Sequence, residues 1–126
     1  MLMLNFNSIM IGTSKPKELS EFYKKIFDKE PDMTDGDWSG WQIGSCFFNI
    51  GEHSEVKDSA KEPQRIILNF ETSDVKEEFE RIKNCGATVI KEPYEMSAQG
   101  GLWIATFADP DGNYFQLMTP WESAKN

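Results

Sequence analysis

The sequence predicts an α+β fold: two tandem βαβββ modules whose sheets join into one curved mixed sheet, a cup with the helices on its convex side. Three observations carry this expectation. Apolar residues recur at helical spacing in two stretches and alternate in several others. The order strand, helix, strands occurs twice, at a period of about 58 residues. The length of 126 residues, 39% hydrophobic and 13% aromatic, suits one domain with an ordinary two-layer core. One module alone cannot bury both faces of its sheet, so two sheets are expected to pair. We read residues 1–126 as a single domain made of module 5–55 and module 64–120.

Phe6 to Thr13 is the first strand, with Ile9 and Ile11 alternating with Ser8 and Met10. Pro16 suits a first helical turn, where its missing N–H costs nothing. Leu19, Phe22, Tyr23, Ile26 and Phe27 then form the stripe of an amphipathic helix. Asp28 to Gly40 is polar and broken by Pro31, Gly36 and Gly40, which places Trp38 in a loop. Strands follow around Trp41–Ile43 and Cys46–Ile50, joined by the two-residue turn Gly44-Ser45. Gly51 to Pro63 is a charged link that contains His53.

The second half repeats this order. Arg65 to Glu71 is a strand, with Ile66, Leu68 and Phe70 on one face and Arg65, Ile67 and Asn69 on the other. Asp74 starts a helix, with Glu77 completing a capping box. Val75, Phe79 and Ile82 form its stripe, and Gly86 sits at the expected left-handed cap. Thr88–Ile90 is a short strand. Glu92 to Gly101, containing Tyr94 and Met96, is a flexible segment that reads either as a lid, with Gly100 and Gly101 as hinge candidates, or as an ordinary connection. Leu102–Phe107 and Tyr114–Thr119 make a hairpin around Asp109–Asn113. On its last strand Phe115 and Leu117 point to the helix layer, and Tyr114, Gln116 and Met118 to the concave face.

Composition excludes several function classes. A net charge of −8 repels phosphate backbones, so no nucleic-acid partner is expected. No apolar run reaches the 18 or so residues of a membrane span, and Met1–Phe6 lacks the basic flank and cleavage site of a signal peptide. Two cysteines, Cys46 and Cys85, in a chain able to build its own core point to a reduced, cytoplasmic protein. With His53 as the single histidine, one chain cannot form a zinc site from several imidazoles or a two-His-one-carboxylate iron site. Cys-x-x-Cys, P-loop, G-x-G-x-x-G and G-x-S-x-G patterns are absent.

Two motifs carry a family resemblance. Pro16-Lys17-Glu18-Leu19-Ser20-Glu21-Phe22-Tyr23 resembles a P-x-x-L-x-x-F-Y helix start, and Asp109-Pro110-Asp111-Gly112-Asn113-Tyr114-Phe115-Gln116-Leu117 resembles a D-P-D-G-N-x-x-E-L hairpin. Both are similar to the vicinal oxygen chelate superfamily, which includes glyoxalase I, extradiol dioxygenases and bleomycin-resistance proteins. The metal-dependent members take ligands from positions that fall here on Ser8, Asn49, Ile67 and Gln116. Ile67 cannot coordinate, and three neutral oxygens do not offset the lost hydration of a divalent ion. No metal and no cofactor are therefore expected.

The resemblance implies a small-molecule binding protein that works without a metal and as a homodimer. The alternative is a glyoxalase-like or dioxygenase-like enzyme with a non-standard site; whether the chain is an enzyme stays open. The ligand-binding candidates are Ser8, Met10, Trp38, Trp41, Phe47, Asn49, His53, Ile67, Asn69, Trp103, Tyr114, Gln116 and Met118. Neutral polar groups among apolar ones orient a ligand, and tryptophans stack on planar or cationic molecules. The expected ligand is accordingly aromatic or cationic, the latter favoured by the acidic surface.

Overall fold

In a computed structural model the described residues are 3–96 and 100–121, and the chain divides into two compact units, Met1–Asp58 and Ser59–Asn126. The first holds β1 (Ser8–Thr13), α1 (Pro16–Phe27), β2 (Met33–Asp35), β3 (Trp38–Ile43) and β4 (Cys46–Glu52). The second holds β5 (Leu68–Glu71), α2 (Val75–Asn84), β6 (Thr88–Glu95), β7 (Trp103–Ala108) and β8 (Tyr114–Met118). Strand order is β1-β4-β3-β2 in one sheet and β5-β8-β7-β6 in the other. In each the first strand runs parallel to the last, and the remaining pairs are antiparallel. The expected βαβββ duplication and α+β class are thus present, with one topology used twice.

One helix covers one face of each sheet. Leu19, Tyr23 and Ile26 of α1 are buried, and the Tyr23 and Phe27 rings lie 4.8 and 5.1 Å from that of Phe48. Trp41 closes this layer, 5.5 Å from Phe27 and fully buried, with its Nε1–H donating to the Lys29 carbonyl. In the second unit Val75, Phe79 and Ile82 are buried, and Phe79, Phe107 and Phe115 stack at 5.1 and 5.5 Å. Each such ring contact adds about 0.5–1.5 kcal/mol beyond the apolar area it buries.

Local chemistry sets the element ends. Pro16 lies in the first turn of α1, as expected. The Asp74 carboxylate accepts the Glu77 amide at 3.1 Å, capping α2, while the Asp74 amide itself donates to the Thr72 hydroxyl. The β7–β8 turn is tied by buried Asp109, whose Oδ1 accepts the Asp111 and Asn113 amides at 2.9 and 3.0 Å. Asn113 Nδ2 donates to its Oδ2 at 3.0 Å, and Gly112 supplies a φ of 84°. This turn fixes Phe107 opposite Phe115 and Thr106 opposite Gln116.

Four expectations need correction. Residues 28–40 were expected to be loop, yet Met33–Asp35 forms an edge strand and Trp38 begins β3. The Asp32 side chain holds that turn, accepting the Gln42 amide at 2.7 Å and the Lys29 ammonium at 2.9 Å, which propensity does not disclose. The strand expected from Arg65 begins at Leu68, because Pro63–Arg65 forms a 3₁₀ turn; Ile66 is 75% exposed and Ile67 precedes the strand. β6 runs on to Glu95 across register irregularities that accommodate Pro93. Of the expected lid, Tyr94 belongs to β6, Gly100 and Gly101 have φ of 80° and 91°, and residues 97–99 lie outside the described residues.

Asp74→Ala should lower stability by about 1 kcal/mol, a thermal midpoint shift of about 3–5 °C by calorimetry. The hydrogen bond from the Gln42 amide, then that from Lys29, holds the Asp32 carboxyl below its ordinary value. A depressed folded-state pKa gives stability that is present above about pH 4 and lost as pH falls through the folded value. Acid titration of unfolding should therefore show a smaller low-pH loss in Asp32→Asn than in the parent chain, with the variant already weaker at pH 7.

Candidate functional site

Each sheet has a face turned away from its helix, and the sequence candidates sort by whether they reach it. On the first sheet, register places Ser8 beside Phe47 and Met10 beside Asn49, with Gly40 opposite Asn49 and Asp35 opposite Trp38. The half-buried Trp38 is held by its indole Nε1–H donating to Asn49 Oδ1 at 3.0 Å. Asn49 Nδ2 in turn donates to the Ile9 carbonyl at 3.0 Å, so a buried amide spends both ends fixing one ring. The ring lies flat because glycines underlie it. A Cβ at Gly40 would come within 2.4 Å of Phe47 and 3.0 Å of Trp38; one at Gly51 would meet Met10 at 3.0 Å and Trp38 at 3.1 Å. The result is a platform of Trp38 and Phe47, ring centres 6.2 Å apart, flanked by Met10 at 53% exposure.

On the second sheet the corresponding face carries Tyr114, Gln116 and Met118 from β8, all half-buried, and Asn69 opposite Gln116. Gln116 Nε2 donates to the buried Thr106 hydroxyl at 3.1 Å. Lys91 pairs with Thr106 and Tyr94 with Ile104, so both β6 side chains share this face. Thr106 and Lys91 were missed by sequence reasoning. Counting back from the Asp109–Asn113 turn reaches Thr106, whereas the β6 irregularities hide Lys91.

Four candidates lie elsewhere or at the margin. Trp41 pairs with Phe48 on the helix side and is fully buried, so it is a core residue and not a ligand contact. Trp103 also sits on the helix side, with Lys76 Nζ 3.9 Å above its ring, beside a shallow cavity of about 260 Å³ at the start of α2. Ile67 falls outside β5 and has no strand register to place it on the sheet. His53 is exposed just after β4; its Nδ1 accepts the Glu55 amide at 3.2 Å and its backbone amide donates to the Thr13 carbonyl. Arg65 pairs with Glu62 at 3.3 Å on the surface, where such a bridge contributes little.

The residues expected at metal-ligand positions do not fit a divalent ion. Asn49 has committed its oxygen to Trp38, Gln116 is a neutral amide whose Nε2 donates to Thr106, Ile67 has no donor, and Ser8 is a neutral hydroxyl. Among the described residues no three His, Cys, Asp or Glu side chains converge. No helix among them is long and apolar enough to cross a membrane.

Comparison with known proteins follows the same outline. The chain resembles a glyoxalase/bleomycin resistance protein/dioxygenase family enzyme from Burkholderia phytofirmans PsJN, with a TM-score of 0.74 at 21% identity over 92% of this chain and 98% of that one. It also resembles a glyoxalase-related enzyme from Fulvimarina pelagi, with 0.73 at 16% identity over 94% and 88%. A glyoxalase/bleomycin resistance protein from Albidiferax ferrireducens T118 gives 0.71 at 18% over 90% and 98%. At such identities the likeness is one of fold. No curated protein sequence matches the chain. The glyoxalase-like domain family matches residues 8–118, nearly the whole described length, and the chain belongs to that family.

Proposed function

We propose that this protein is a metal-independent small-molecule binding protein of the glyoxalase-like type, acting as a cytoplasmic homodimer. The helix-distal face of the first sheet takes a planar aromatic or cationic ligand. The observation that carries this reading is the Trp38 indole, clamped by Asn49 and laid flat over glycines beside Phe47. A ring immobilised before the ligand arrives spares the entropy of ordering it on binding. Asp35, opposite Trp38 in the β2–β3 pair, adds a negative charge at the edge of the platform. A cation over an indole contributes about 0.5–2 kcal/mol, depending on how far it is desolvated. The site offers shape and stacking, with Asp35 as its charged group, which suits capture of a cation.

Acridine orange, a planar monocation, should bind the purified protein with saturable fluorescence change. Trp38→Ala should weaken it several-fold to about 30-fold. Unchanged affinity in that variant, with its fold intact by circular dichroism, would remove the platform from the binding reaction. Elemental analysis of protein purified without tag or chelator, then incubated with Zn²⁺, Ni²⁺, Mn²⁺ and Fe²⁺, should find less than about a tenth of an equivalent of retained ion. Near-stoichiometric metal would overturn the metal-independent reading.

A further inference from the structure

The helix-distal face of the second sheet carries a continuous polar row, one side chain from each strand. Lys91 of β6 stands opposite Thr106 of β7, Thr106 opposite Gln116 of β8, and Gln116 opposite Asn69 of β5. With strands about 4.8 Å apart the row spans about 14 Å. The neighbouring rows are mainly apolar: Tyr94, Ile104 and Met118 on one side, Ala108 and Tyr114 on the other.

The row favours an acceptor-rich partner. Thr106, itself buried, accepts from Gln116 Nε2, which leaves its own hydroxyl hydrogen uncommitted. The Lys91 ammonium rests 5.4 Å from the centre of the Tyr94 ring, a contact that keeps it over this face. Among the described residues Lys91 forms no ion pair. Glu71 shares the face, opposite Met118, but stands on the far strand, three strand spacings from β6. In the first module the ring of Trp38 has Asp35 across from it, whereas here the ring of Tyr94 has Lys91. The two copies of one topology have diverged to opposite local charge.

We propose that this row is a carboxylate subsite: Lys91 is the charge partner of a small organic acid, and Thr106 on the adjacent strand directs its oxygens. The acid's apolar body lies along Tyr94, Ile104 and Met118. The chain's net charge of −8 does not forbid this, because exposed charges more than about 8 Å away are screened at physiological salt while a contact ion pair is not. The inference rests on the reading that the helix-distal faces bind a small molecule.

Cinnamate and cinnamamide share a ring and differ in charge, so they test the subsite by nuclear magnetic resonance titration of the full chain. Cinnamate should shift the Lys91, Thr106 and Gln116 amides, and cinnamamide should bind at least about fivefold more weakly. Lys91→Met should reduce cinnamate to the level of the amide, and Lys91→Arg should restore it. Equal binding of the two probes, cinnamate affinity unchanged in Lys91→Met, or no cinnamate shift up to about 10 mM would each overturn the subsite. If acridine orange still binds in a Trp38-dependent way in that event, the binding-protein reading stands and the carboxylate subsite alone falls. Loss of both would remove both.

Discussion

Each module has one helix for a four-stranded sheet, and that mismatch governs the molecule. A sheet has two faces, and α1 or α2 covers one of them with Tyr23 or Phe79 at its centre. The other face must be built from side chains that tolerate its exposure yet stay ordered. The first module answers with glycines and a clamped tryptophan. The second answers with a polar row hydrogen-bonded along its middle. Both solutions leave an ordered, shaped surface, a direct product of the packing deficit.

Two small polar constructions do the positioning. Asp109 closes the β7–β8 turn with three donors from its own loop, and the register it imposes brings Gln116 to Thr106. Asn49 joins the Ile9 carbonyl on one strand to the Trp38 indole on another. Asn49 and Gln116 spend hydrogen bonds inside the protein, where they act as scaffolding for an aromatic ring and a hydroxyl.

The period-two pattern made much of this face legible. Ser8 and Met10, Phe47 and Asn49, and Tyr114, Gln116 and Met118 all alternate with buried or half-buried apolar residues, and each lies on the side that alternation assigns. Aromatic identity was a poor guide by comparison. Trp38, Trp41 and Trp103 look alike in sequence, yet one lies on the platform, one in the core and one beside α2. Burying an indole is favourable on either face of a sheet, so only strand pairing decides which face it takes. Lys91 escaped for a related reason: the β6 irregularities shift the alternation that would have placed it.

By itself, then, the sequence determined the two helices, most of the strands and their duplication. These follow from short-range physics: residue spacing and turn chemistry. The tertiary structure alone decided that Asn49 holds Trp38, that Thr106 meets Gln116, and that Lys91 and Asp35 give two copies of one topology opposite local polarity. Those contacts join residues on different strands, and their geometry depends on a register that no local pattern contains.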